Sequence, residues 1–112
     1  IGTPGGETIG QTQFQVLLNI LDFGMSIQEA IEAPRISLVA DPSFYRAGAA
    51  ITLRMENRGQ EAMARSLEAL GHEVELIGAW ALGSMQGILR DPATGTWLAG
   101  ADPRRVAYAV GY

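Results

Sequence analysis

The sequence predicts an α+β fold, with layered helices and a mostly antiparallel sheet, and three observations carry that reading. Apolar residues recur at helical spacing over Phe14, Leu17, Leu18 and Leu21, and again over Ala64, Leu67 and Leu70. Apolar and polar residues alternate over 51–56 and 72–77, the mark of half-buried strands. Asp91-Pro92-Ala93-Thr94-Gly95 separates two further apolar runs and has the composition of a hairpin connection. Two helices, strands, a helix and more strands in succession suit layered packing.

Each element has its own local reason. A Pro-Gly-Gly turn precedes the first helix, which the pattern places over 11–23, with Val16 and Ile20 widening the apolar face and Gly24 as its stop. Ser26-Ile27-Gln28-Glu29 has the form of a capping box, in which the Ser hydroxyl and the Glu carboxylate each satisfy the other's backbone N–H. A short second helix then runs to residue 33, because Pro34 cannot continue it. Residues 35–39 read as a strand, followed by a loop around Asp41-Pro42-Ser43 and a strand over 51–56. Asn57-Arg58-Gly59 breaks that strand. A helix over 60–70 follows, with Glu61 spaced to pair with Arg65, and Gly71 closes it. Residues 85–91 and 96–99 flank the hairpin turn, and the tail from Asp102 onward is irregular. No internal repeat or linker interrupts the chain, so residues 1–112 read as a single domain or part of one.

Composition narrows the function classes. The chain has 112 residues and a formal charge of -4, and all 8 of its basic residues are arginines scattered among acids. A basic stripe for nucleic acid is therefore absent from the sequence. There is no cysteine, which removes disulfides, thiol catalysis and Cys-ligated metals. Cysteine absence suits a cytoplasmic or a periplasmic home equally. No apolar run reaches the roughly 20 residues that span a bilayer, and no signal peptide opens the chain. His72, the single histidine, follows a helix-ending glycine and reads as a turn residue. No spacing of ligands suggests a metal or a cofactor. Trp80 and Trp97 read as packing residues, Arg104-Arg105 as a salt-bridged or solvated pair, and Glu29 and Glu32 as a cap and a solvated helix position.

The glycines hold the chemical interest. Gly2-Thr3-Pro4-Gly5-Gly6 lacks the Gly-Lys-Ser/Thr of a nucleotide loop and the GxGxxG spacing. By pattern alone it is a tight turn that starts a helix. The alternative is an oxyanion hole, in which the N–H groups of Gly5 and Gly6, beside the positive end of a helix, hold a developing negative charge.

Several motifs, in order, resemble the gamma-glutamyltranspeptidase family. They are Gly2-Thr3-Pro4-Gly5-Gly6, Gln15-Val16-Leu17-Leu18-Asn19, Asp22-Phe23-Gly24-Met25 and Glu29-Ala30-Ile31-Glu32-Ala33-Pro34-Arg35. Leu70-Gly71-His72-Glu73-Val74, Gly83-Ser84-Met85-Gln86-Gly87-Ile88, Gly100-Ala101-Asp102-Pro103-Arg104-Arg105 and Gly111-Tyr112 continue the likeness to the end of the chain. The resemblance implies a fragment of the αββα sandwich of N-terminal-nucleophile hydrolases. It implies a precursor that cleaves itself into large and small subunits, the new N-terminal threonine attacking a gamma-glutamyl carbonyl. Glutathione-like donors would then pass their acyl group to water or to amino acids. Gly5 and Gly6 match the family's oxyanion glycines.

On that resemblance the chain is the C-terminal portion of the small subunit. The nucleophile and the groups that hold the substrate's alpha-amino and alpha-carboxylate lie upstream in the family. Ile1 cannot replace that threonine, so the 112 residues alone are expected to be inert. The expected partners are a gamma-glutamyl substrate, the large subunit and the upstream part of the small subunit. Exposed apolar surface on the isolated piece would favour a homodimer or strand exchange. Family members are commonly exported to the periplasm or beyond, which leaves the two compartments open here. Glu7 stands where the family more often has a small or neutral polar residue, and the stretch 40–50 is longer than usual. A cephalosporin-type or other amide acylase is a second enzyme reading, and a non-catalytic assembly module is a reading of another class.

Overall fold

The computed structural model describes residues 1–111, so Tyr112, and with it half of the Gly111-Tyr112 likeness, lies outside the described residues. The chain forms two compact units, Ile1–Ala33 with Gly83–Tyr112, and Pro34–Leu82. The α+β class is observed, with helices α1 (Thr8–Leu21), α2 (Ile27–Glu32) and α3 (Glu61–Ala69). The strands are β1 (Ile36–Asp41), β2 (Ala50–Glu56), β3 (Glu73–Ile77), β4 (Gln86–Arg90) and β5 (Trp97–Ala101).

In the first unit, β4 and β5 form an antiparallel pair whose register sets Gly87 opposite Gly100. The turn between them is built as its composition suggests. Asp91 accepts hydrogen bonds from the Ala93 N–H at 2.9 Å and the Thr94 hydroxyl at 2.7 Å, and Gly95 takes a positive φ of 74°. Helix α2 lies against both strands, and its Ile27, Ala30 and Ile31 join Val16 of α1 and Met85 in one buried cluster. Both halves of the capping box are present at Ser26 and Glu29. The Gln28 carboxamide donates to the Ala101 carbonyl and accepts from the Ala101 N–H, each at 3.0 Å. Glu32, exposed, accepts from Gln28.

In the second unit the sheet order is β1-β2-β3. β1 and β2 are antiparallel, whereas β2 and β3 run parallel, with α3 as the crossover. Leu53 and Met55 alternate inward on β2 and pack with Ala64 of α3, backed by Leu67 and Val74. No ion pair joins Glu61 to Arg65 among the described residues. Glu56, fully buried at the end of β2, accepts from the Arg35 backbone N–H at 3.0 Å and the Leu82 N–H at 2.9 Å. Its carboxylate also pairs with Arg58, whose guanidinium lies 3.8 Å from the centroid of the Trp80 ring.

Two further expectations change. Helix α1 begins at Thr8 rather than at residue 11, because the Thr8 and Ile9 N–H groups bond to the Gly5 and Gly6 carbonyls, so the turn runs directly into the helix. Trp97 is 68% exposed and is no packing residue. Helix α2 covers β5 near Gly100, and Trp97 lies at the strand's other end.

Candidate functional site

Local geometry at the opening turn depends on glycine at two successive positions. Gly5 has φ 137° and Gly6 has φ 55°, both in the region that side chains rarely tolerate. The constraint at Gly5 is also steric, since a Cβ there would collide with the Thr8 hydroxyl oxygen. That hydroxyl and the Thr8 N–H both donate to the Gly5 carbonyl, at 2.8 and 3.1 Å. Among the described residues, neither the Gly5 nor the Gly6 N–H donates a hydrogen bond, and both residues are exposed. The turn therefore satisfies its carbonyls and leaves two adjacent donors, just ahead of the positive end of a 14-residue helix.

Glu7 occupies the N-cap of α1 in a helical conformation, and its carboxylate makes no capping bond. Exposed as it is, it adds a negative charge one residue from the donors without using them.

The strap that leads into the turn is fixed to the strand pair. Gly2 and Gln86 exchange two backbone hydrogen bonds of 2.8 Å, so residue 2 extends the sheet by one bridge. The Thr3 hydroxyl donates to the Pro4 carbonyl at 3.0 Å and accepts from the Ser84 N–H at 3.5 Å.

Behind this strap lies a buried polar cluster that the residue pattern did not reveal as such. Asp102, 1% exposed, accepts from the Met85 N–H at 2.7 Å and from the Arg104 N–H at 3.0 Å. The Arg104 guanidinium meets the same carboxylate at 3.1 Å, and both side chains are wholly removed from solvent. Arg104 also donates to the Ile31 and Ala33 carbonyls, each at 2.9 Å, and so closes the C-terminal end of α2. The salt-bridged reading of Arg104-Arg105 holds for Arg104 alone, while Arg105 is exposed. Nothing in the residue pattern signalled this burial, because Asp102 and Arg104 follow β5 in an irregular turn and are covered by the distant end of α2. His72 is exposed in the turn after α3. No group of three His, Cys, Asp or Glu able to hold a metal occurs among the described residues, and no helix among them is long and apolar enough to cross a membrane.

A model of the gamma-glutamyltranspeptidase family matches residues 1–112. The glutathione hydrolase proenzyme of Escherichia coli strain K12 is 34% identical over 94% of this chain and 16% of its own length. Among solved structures, a gamma-glutamyltranspeptidase from Pseudomonas nitroreducens complexed with L-DON superposes with a TM-score of 0.78 at 26% identity, covering 99% of this chain and 53% of that one. A cephalosporin acylase from Bacillus halodurans does so with a TM-score of 0.75 at 30% identity, covering 99% of this chain and 20% of that one. The chain spans a fifth or less of the length of the curated relatives it matches first, 20% and 16%.

Proposed function

The chain belongs to the gamma-glutamyltranspeptidase family, and from that premise we propose that its Gly5–Gly6 turn is the oxyanion hole of a gamma-glutamyl transferase or hydrolase. The observation that carries this is the pair of successive positive-φ glycines whose N–H groups have no acceptor among the described residues. A nucleophile that adds to a gamma-glutamyl carbonyl puts a full negative charge on the carbonyl oxygen. Two fixed N–H donors stabilise that charge more than they stabilise the neutral carbonyl, which is what lowers the barrier. Collapse of the intermediate breaks the C–N bond, releases the amine and leaves an acyl-enzyme that water or an amino acid amine resolves.

The nucleophile and the groups that grip the donor's charged ends belong, on this reading, to upstream sequence of the same proenzyme. Such a protein would be processed into two subunits, with this chain in the smaller. The relatives' names as proenzymes and their fivefold greater length support it. Glutathione-like compounds are the proposed donors, by similarity to the glutathione hydrolases.

The test has two arms. A chromogenic gamma-glutamyl amide offered to the 112-residue chain should show no turnover above the uncatalysed rate. In the full-length proenzyme, Gly5→Ala, whose Cβ would collide with the Thr8 hydroxyl at a φ of 137° and so push the turn and its N–H groups out of place, should lower kcat by about 10²–10³-fold with KM little changed, as when an oxyanion donor is lost. An unchanged kcat would sink the oxyanion assignment. The likeness to a cephalosporin acylase favours a second reading, amide acylase activity. Faster turnover of a cephalosporin amide than of the gamma-glutamyl amide would select it.

A further inference from the structure

We propose that Asp102 is a positioning residue for the Gly5–Gly6 turn, holding it through the backbone of residues 84–86. The proposal rests on the oxyanion reading of that turn. The Asp102 carboxylate is 1% exposed and accepts the Met85 N–H at 2.7 Å, a short charge-assisted bond to a fully buried residue. Met85 lies between the two residues that carry the strap. Ser84 donates to the Thr3 hydroxyl, and Gln86 exchanges two 2.8 Å bonds with Gly2. The Thr3 hydroxyl in turn holds the Pro4 carbonyl, at the peptide that enters Gly5. One carboxylate thus fixes the middle of a three-residue platform, and the platform fixes residues 2–4.

Arg104 supplies this carboxylate's counter-charge and orients it, while its other donors are engaged by the Ile31 and Ala33 carbonyls. Asp102 accepts three N–H groups with two oxygens. An asparagine has the same outline but one acceptor oxygen, so its NH₂ must face either the Met85 N–H or the Arg104 donors. Donor would meet donor, and the platform would lose its anchor without losing side-chain volume. An oxyanion donor displaced by a few tenths of an ångström costs transition-state stabilisation with little effect on ground-state binding.

Asp102→Asn is tested in the full-length proenzyme, beside Gly5→Ala and the core control Leu89→Ala. Leu89 packs against the same buried cluster and lies outside the 84–86 platform and residues 2–4. Amide hydrogen exchange at Gly2 and Gln86, read whether or not the protein processes itself, should speed up about tenfold or more in Asp102→Asn and stay unchanged in Leu89→Ala. In the processed enzyme, kcat for the chromogenic gamma-glutamyl amide should fall about 10–100-fold with KM within about twofold, while Leu89→Ala lowers thermal stability and leaves kcat intact. Unchanged exchange at Gly2 and Gln86, or a kcat that survives Asp102→Asn, overturns the positioning role. A Gly5→Ala enzyme with normal kcat defeats the oxyanion reading instead, and the exchange result still judges the platform separately.

Discussion

Gly87 and Gly100 face each other across the β4–β5 pair, and α2 rests on both of them. A Cβ built on Gly87 would lie 2.8 Å from Ile27 Cδ1, and one on Gly100 would lie 2.7 Å from Ile31 Cδ1. Those isoleucines are buried in the unit's core, so a methyl that turns aside presses on other core atoms. The two glycines let a six-residue helix approach a two-stranded sheet closely enough to share one core.

Gly100→Ala should therefore cost about 1–3 kcal/mol of stability, the usual range for overpacking a filled core. Gly87→Ala should cost a similar amount. Because both press on one helix, the double variant should lose less than the sum of the two. Denaturant midpoints at constant m-value give the comparison. A neutral Gly100→Ala would show that α2 moves away freely.

Arg104→Ala should be the more damaging change, at about 3–5 kcal/mol, since it leaves a buried carboxylate without its counter-charge and two helix-end carbonyls without donors. Arg104→Lys should recover only part of this. A lysine brings a point charge to a place where a planar fork serves three acceptors. Thermal unfolding of both variants beside the parent would decide it, and equal stability of Arg104→Lys and the parent would refute the fork argument.

Acid should loosen the start of α2 first. The Ser26 hydroxyl, and after it the Ser26 backbone N–H, hydrogen-bond the ionised Glu29 carboxylate and hold its pKa below the ordinary 4.5. The folded value is the lower one, so the stabilisation is complete above pH 4.5 and is lost as pH falls through the folded value. Asp91 behaves likewise below 3.8, through the Thr94 hydroxyl and then the Ala93 N–H. Carboxyl-carbon NMR should show the Glu29 midpoint below 4.5, rising part of the way toward that value in Ser26→Ala, which removes the hydroxyl and keeps the backbone N–H. A midpoint indifferent to Ser26→Ala would mean that the cap does not form in solution.

The isolated chain should self-associate. Phe14, Leu17 and Leu21 form one exposed apolar stripe along α1, with Phe14 at 65% and Leu21 at 74% exposure. Sedimentation of the 112-residue chain should show concentration-dependent dimers or larger species, and Phe14→Glu with Leu21→Glu should shift them toward monomer. A monomeric parent at high concentration contradicts the expectation.

Much of this was legible in local chemistry. Helix α2 was readable to within one residue, ending at Glu32 rather than at residue 33, because its start is written in side chains, Ser26 and Glu29, and its end in Pro34. The start of α1 was misplaced by three residues because its cap is made of backbone, the Gly5 and Gly6 carbonyls, which no side-chain pattern records. The parallel pairing of β2 with β3 was likewise unwritten, since alternation reports which face is buried and is silent on direction. The glycine turn stood out from the sequence, whereas the Asp102–Arg104 pair looked like surface charge. Burial of an ion pair depends on what long-range packing lays over it, here the end of α2, which is more than seventy residues away in the chain.

Gln28 has an effect on how this sheet can grow. Its carboxamide presents one donor and one acceptor to Ala101 in the pattern a neighbouring peptide would use. The outer edge of β5 therefore ends, at that residue, in a counterfeit strand. A newcomer would have to evict a side chain seated by two hydrogen bonds before it could pair there. The opposite edge, where Gly2 already pairs with Gln86, carries no such plug among the described residues. Growth of this small sheet is thereby given a direction: chain can be added on the side of the Gly5–Gly6 turn, whereas at Ala101 on the other side it must first displace Gln28.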